Sequence, residues 1–198
     1  IKQISLFKNQ LETISLANSK AIVADIGLNN IKEMPRVALA LNALILDYNE
    51  IEEIERSFNG LKKLTLSHNC ISYLKDTIKF KKLKIIDLSY NELETLPDLI
   101  PMFPKLNSLD ISHNRLSSLP RIPQRLAHID ASFNLLTELP LNFSDSPLLK
   151  SANFSYNKIQ KVPKLPPELQ ALIIFNNKIT KFEKSKAPKL TTLYLRGN

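Results

Sequence analysis

Within four residues, Asp110, Ser112 and His113 bring together a carboxylate, a hydroxyl and an imidazole, the groups from which an acyl-transfer triad is built. On one extended segment, however, neighbouring side chains point to different sides, and nothing nearby supplies oxyanion donors or a pocket. Asp87, Asp110 and Asp130 recur at equivalent places in successive segments, a row that could divide acid and base roles. That division needs a desolvating cleft to separate the pKa values of the carboxyls, and an open row offers none. The imidazoles are His68, His113 and His128 and the only thiol is Cys70, with no carboxylate cluster spaced to complete a metal set. Three glycines among 198 residues leave no glycine-rich phosphate loop. The sequence therefore predicts no catalytic residue, no metal and no cofactor.

These groups sit in a strict repeat. LKKLTLSHNCISYL from Leu61, LKIIDLSYNELETL from Leu83 and LNSLDISHNRLSSL from Leu106 share the pattern LxxLxLxxNxLxxL. It recurs ten times, anchored on Asn9, Asn29, Asn49, Asn69, Asn91, Asn114, Asn134, Asn157, Asn177 and Asn198, at spacings of 20 to 23 residues. A fixed period of that length means stacked coils, each unable to bury its apolar face alone. Positions four and six of each unit are apolar around a polar fifth, the alternation of a short strand, and stacked strands make one parallel sheet. The asparagine follows the strand where the chain turns, and its amide can both donate to and accept from backbone groups left between coils. After Pro97 the returns are rich in proline, as in LPRIPQR and VPKLPPE, which favours extended paths. Earlier returns such as NEIEEIERSFNGLKK predict short helical turns, with Phe58 facing inward.

The pattern resembles that of the leucine-rich-repeat family over essentially the whole chain. The later LPxxP returns resemble those of bacterial effector proteins, while the repeats carrying SxN are similar to typical intracellular ones. The resemblance implies an α/β repeat solenoid: a right-handed horseshoe with a parallel β-sheet on its concave face and extended or short-helical returns on the convex face. It implies one domain over residues 1–198 and a module for protein–protein recognition in intracellular signalling or scaffolding. Because no polar cap is legible at either end, the chain is expected to be a piece of a longer protein. The alternative is a regulatory segment of a larger signalling enzyme, since protein phosphatases, kinases, adenylyl cyclases and Roco-type GTPases carry such arrays.

A protein partner would meet the outward columns. The fifth positions include Asp87, Asp110 and Asp130, an acidic stripe whose like charges repel on neighbouring strands. The seventh include five successive serines, Ser67 to Ser155, and then Phe175. The eighth read Tyr48, His68, Tyr90, His113, Phe133 and Tyr156, side chains that bury large area at modest entropic cost. The expected contacts are thus Asp87, Asp110, Asp130, Tyr90, His113, Phe133, Tyr156 and Phe175. Each column has a plainer explanation: the aspartates can bond nearby serine or backbone groups, and the rings can stack on each other.

Net charge is +8, and it is concentrated. Residues 1–99 hold 13 basic and 13 acidic residues, whereas residues 146–198 hold 10 and 2. The basic C-terminal end could attract an anionic partner. Nucleic acid is disfavoured there, because arginines and aromatics are not interleaved. No apolar run reaches the roughly 20 residues of a membrane-spanning helix. A single cysteine favours a reducing, intracellular setting, with room for an upstream signal sequence.

Overall fold

The computed structural model describes residues 1–198. Ten three-residue strands, one per repeat, form a single parallel sheet: β1 (Gln3–Ser5), β3 (Val23–Asp25), β5 (Ala43–Ile45), β6 (Lys63–Thr65), β7 (Ile85–Asp87), β8 (Ser108–Asp110), β9 (His128–Asp130), β10 (Ser151–Asn153), β12 (Ala171–Ile173) and β14 (Thr192–Tyr194). Two short parallel pairs lie on the return side, β2 (Ser15–Leu16) with β4 (Arg36–Val37) and β11 (Lys161–Val162) with β13 (Lys181–Phe182). The register is the one the repeat dictates: Asp87 lies opposite Asp110, and Asp110 opposite Asp130.

The alternation inferred from the pattern is met residue by residue. In β8 the middle residue, Leu109, is buried between half-buried Ser108 and Asp110, while Leu106 and Ile111 are fully buried. The aliphatic positions of successive coils merge into one apolar cluster of 46 residues running the length of the solenoid. Phe58, Phe80 and Phe103 extend it under the returns, with Phe80 stacked on Phe103 at 5.3 Å between ring centroids.

The asparagines bind coil to coil. Asn114 donates through Nδ2 to the Leu88, Ile111 and Ser112 carbonyls and accepts from Leu93 N–H through Oδ1, all between 2.9 and 3.1 Å. The same set recurs at Asn29, Asn49, Asn69, Asn91, Asn134, Asn157 and Asn177. At the first coil, the exposed Asn9 side chain donates only within its own repeat.

The returns correct one expectation. The segment after Asn49 is not helical: Glu53 pairs with Tyr73 in an isolated parallel bridge, although Phe58 does face inward at 5% exposure. The one helix, α1 (Leu99–Met102), lies instead in a proline-containing return. Path length explains the exchange. A helix advances about 1.5 Å per residue against about 3.3 Å for extended chain, so a return can coil only where residues are spare. The coil between Asn49 and Asn69 has 20 residues, and the one between Asn91 and Asn114 has 23. Pro101 is tolerated because it sits in the first turn, where its missing N–H would have had no helical acceptor, and Asp98 caps that turn by accepting from Ile100 N–H.

Candidate functional site

The fifth-position column is built by a recurring local bond. Oδ1 of Asp25, Asp87, Asp110 and Asp130 accepts the backbone N–H two residues on, at 2.9 to 3.1 Å. Ser89 and Ser132 also donate their hydroxyls to Asp87 and Asp130. This is an Asx-type turn ending each strand, so half of each carboxylate serves the fold. The other half differs along the row. Asp130 Oδ2 accepts from Asn153 Nδ2 at 2.8 Å, whereas Oδ2 of Asp87 and of Asp110 accepts nothing within the chain. None of the ion pairs in the molecule involves these three carboxylates. Burial raises the Asp110 pKa above the ordinary carboxylate range; the Ser112 bond offsets part of this, and Asp87 and Asp130 on the flanking strands add to it.

Asn153 shows that a neutral amide fits this column, since it accepts from both the Ser155 N–H and the Ser155 hydroxyl. Asp110→Asn therefore keeps the turn and removes the charge. A carboxyl whose folded pKa is raised binds its proton more tightly in the folded chain, so its penalty is absent below the unfolded value, about 3.9, and grows as pH rises through the folded one. The variant should melt above the wild type at pH 7, with the gap narrowing toward pH 3. A gap independent of pH in thermal melts would show that the charge carries no such cost.

The eighth column is an unbroken ladder of rings. Tyr48, His68, Tyr90, His113, Phe133 and Tyr156 stack in sequence, with centroids 3.9 to 4.2 Å apart and planes within 16°. Phe175, from the seventh column, closes it edge-on against Tyr156 at 5.2 Å and 77°. The backbone explains why these side chains line up. Every residue of the column from Lys8 to Asn176 has φ between +52° and +59°, the left-handed conformation, and Gly197 ends the series at +74°. Outside glycine that conformation costs roughly 1–2 kcal/mol per residue. The stacking and the hydrogen bonds of the turn offset it, as in His113 N–H to the Ser132 carbonyl at 2.9 Å. Burial among the rings lowers the His113 pKa, against a smaller opposing pull from the Asp130 charge. The rings remain open along one rim: Tyr48, Tyr90, Phe133 and Tyr156 are 42–49% exposed.

All eight residues expected from the sequence lie on this one side, the acids in the sheet and the rings along its edge. Sequence reasoning missed the left-handed backbone beneath the ladder. Its trace was visible in the column's last members, Asn176 and Gly197, the residue types that tolerate it best.

Comparison with known proteins agrees with this geometry. Residues 61–116 match the family model described as leucine rich repeat. Fibromodulin from Oryctolagus cuniculus and from Sus scrofa is 35% identical over 79 residues, covering 37% of this chain and 54% of each relative. The chain thus spans about half the length of the curated relatives it matches. YopM, a leucine-rich effector protein from Yersinia pestis, superposes with a TM-score of 0.72 at 27% identity, covering 98% of this chain and 49% of that one. The leucine-rich-repeat domain of a Shigella effector gives 0.69 at 29% identity over 80% of this chain and 70% of its own. Drosophila Toll, solved with Spatzle, gives 0.77 at 20% identity, covering 98% of this chain and 31% of that one, a likeness of fold. With the asparagine ladder, the ten in-register strands and these matches together, the chain is a leucine-rich-repeat protein.

Proposed function

We propose that the chain is a protein-recognition module whose partner lies across the open sheet face and against the ring ladder. The observation that carries this reading is the ladder itself. Six stacked rings form a rigid strip whose rim is solvent-exposed, and rigid aromatics gain contact area while losing little conformational freedom. Beside it, the unoccupied outer oxygens of Asp87 and Asp110 suit a partner that presents cationic side chains or donors. Two proteins of the same architecture were solved with protein partners, Toll with Spatzle and the repeat domain of FLRT2 with Latrophilin 3 and Unc5D. The setting we propose is intracellular, on the ground that the one cysteine, Cys70, is exposed and free.

A photocrosslinking amino acid at His128, exposed on the sheet, or at Gln124, exposed on a return, tests the placement. The first should yield a discrete protein adduct in cell extract and the second none. Asp87→Asn, Asp110→Asn and Asp130→Asn combined should keep the fold and weaken adduct formation about tenfold. Adducts from position 124 alone, or undiminished adducts in the triple variant, would move the interface off this face.

A further inference from the structure

The returns carry a second surface, unrelated to the ring ladder. Two consecutive coils repeat the wording NKIxKxxK at a spacing of 20 residues, once from Asn157 and once from Asn177. The solenoid stacks those coils, so the lysines fall in pairs: Lys158 with Lys178, Lys161 with Lys181, and Lys164 with Lys184. The middle pair is fixed by the β11–β13 register, in which Lys161 lies directly opposite Lys181. All six are exposed. Only Lys161 has an acidic partner, Glu183 at 2.6 Å, and the other five form no ion pair. Glu183 is held below the usual carboxylate range by its bond to Lys161 and by the charges of Lys161, Lys164 and Lys181, which shows how densely the cations are set. Like charges opposite one another on paired strands oppose folding, so the five lysines without an acidic partner have no evident stabilising role.

An apolar side chain stands among these cations: Leu141 is 80% exposed and shares a surface hollow with Lys161. Counted from its asparagine, Leu141 occupies in its coil the place that Lys164 and Lys184 hold in theirs. We propose that this face, centred on Lys161, Lys164, Lys181, Lys184 and Leu141, docks on an anionic phospholipid surface. The charge complements the headgroups, and the leucine side chain gains by entering the boundary beneath them. A nucleic-acid strand fits less well. Leucine has no π-face to stack on a base, and the cations are lysines, point charges without the bidentate geometry of arginine. No helix here is long and apolar enough to cross a membrane, so attachment would be interfacial.

Flotation with phosphatidylcholine vesicles, with and without about a third phosphatidylserine, reads this directly. The chain should bind only the anionic vesicles, and binding should fall steeply as salt rises from about 20 to 300 mM. Lys164→Gln, Lys181→Gln and Lys184→Gln combined should reduce it on the order of a hundredfold, at about fivefold per lysine. The same charge change made at Lys81, Lys82 and Lys84 should leave most of it. Because the protein has no tryptophan, Leu141→Trp supplies a single indole whose fluorescence should shift blue on vesicles. Equal losses from both lysine triples, no preference for anionic vesicles, or binding to duplex DNA as tight as to vesicles with no shift at Trp would each overturn the assignment.

Discussion

Asn114→Asp is expected to destabilise the protein more than Asn114→Ala at pH 7, and less than Asn114→Ala at about pH 4. The ladder's connectivity explains both. Each carbonyl that Asn114 Nδ2 serves has a second donor: Asn91 for Leu88, Asn134 for Ile111, and the Tyr90 N–H for Ser112. Alanine therefore strands one group completely, the Leu93 N–H, which otherwise reaches Asn114 Oδ1 at 2.9 Å. One buried orphan donor, together with three weakened carbonyls, costs about 2–3 kcal/mol. Aspartate still accepts from Leu93 but turns a buried anionic oxygen toward three carbonyl oxygens, adding a further loss on the order of 2 kcal/mol. Its folded pKa must rise, so the penalty grows with pH and fades once the carboxyl is protonated and can donate to a carbonyl. Denaturant titrations at the two pH values check the crossover, and an Asp variant equal to Ala at both would mean that the site is open to water. Asn9→Ala, by contrast, should cost under about 1 kcal/mol, since the exposed Asn9 side chain bonds to no other coil. Stacked coils touch only their neighbours, so the Asn114 lesion should also loosen the coupling between the two halves of the array.

The asparagine ladder was fully legible in the sequence because a single period sets its position, its burial and its partners at once. The same holds for the sheet register, which brings Asp87, Asp110 and Asp130 abreast. The returns were less legible. Proline content alone places a helix in the Asn49–Asn69 coil and denies one to the Leu99–Met102 stretch; the first is too short to coil, and the second has spare residues and holds Pro101 in a first turn, where its fixed φ fits a helix. For the aromatic edge, residue types were readable and geometry was not. The pattern gives His113 and Phe133 as neighbours, but the 4.1 Å stack follows from a left-handed backbone at every coil, a conformation that tyrosine and phenylalanine do not advertise. The lysine rows were visible only as net charge until the β11–β13 register paired Lys161 with Lys181.

The largest single loss in the apolar interior is expected at Phe103. Its ring is fully buried, lies nearly parallel to Phe80 at 17°, and packs in the coil that carries α1, the only helix. Truncation to alanine removes the ring's transfer free energy and leaves a hole that rigid neighbours on adjacent coils can fill only in part, so Phe103→Ala should cost about 4 kcal/mol. Phe58→Ala should cost less, about 2–3 kcal/mol, although it removes the same atoms. Phe58 is 5% exposed, meets Phe80 at a longer 6.1 Å and a 34° tilt, and borders a small surface hollow of about 80 Å³ with Leu39 and Gly60, so its vacancy opens toward solvent. Urea unfolding followed by circular dichroism measures the pair. Equal costs would mean that the return-side phenylalanines act as a loose cover, and that the apolar cluster ends at the aliphatic positions of the repeat.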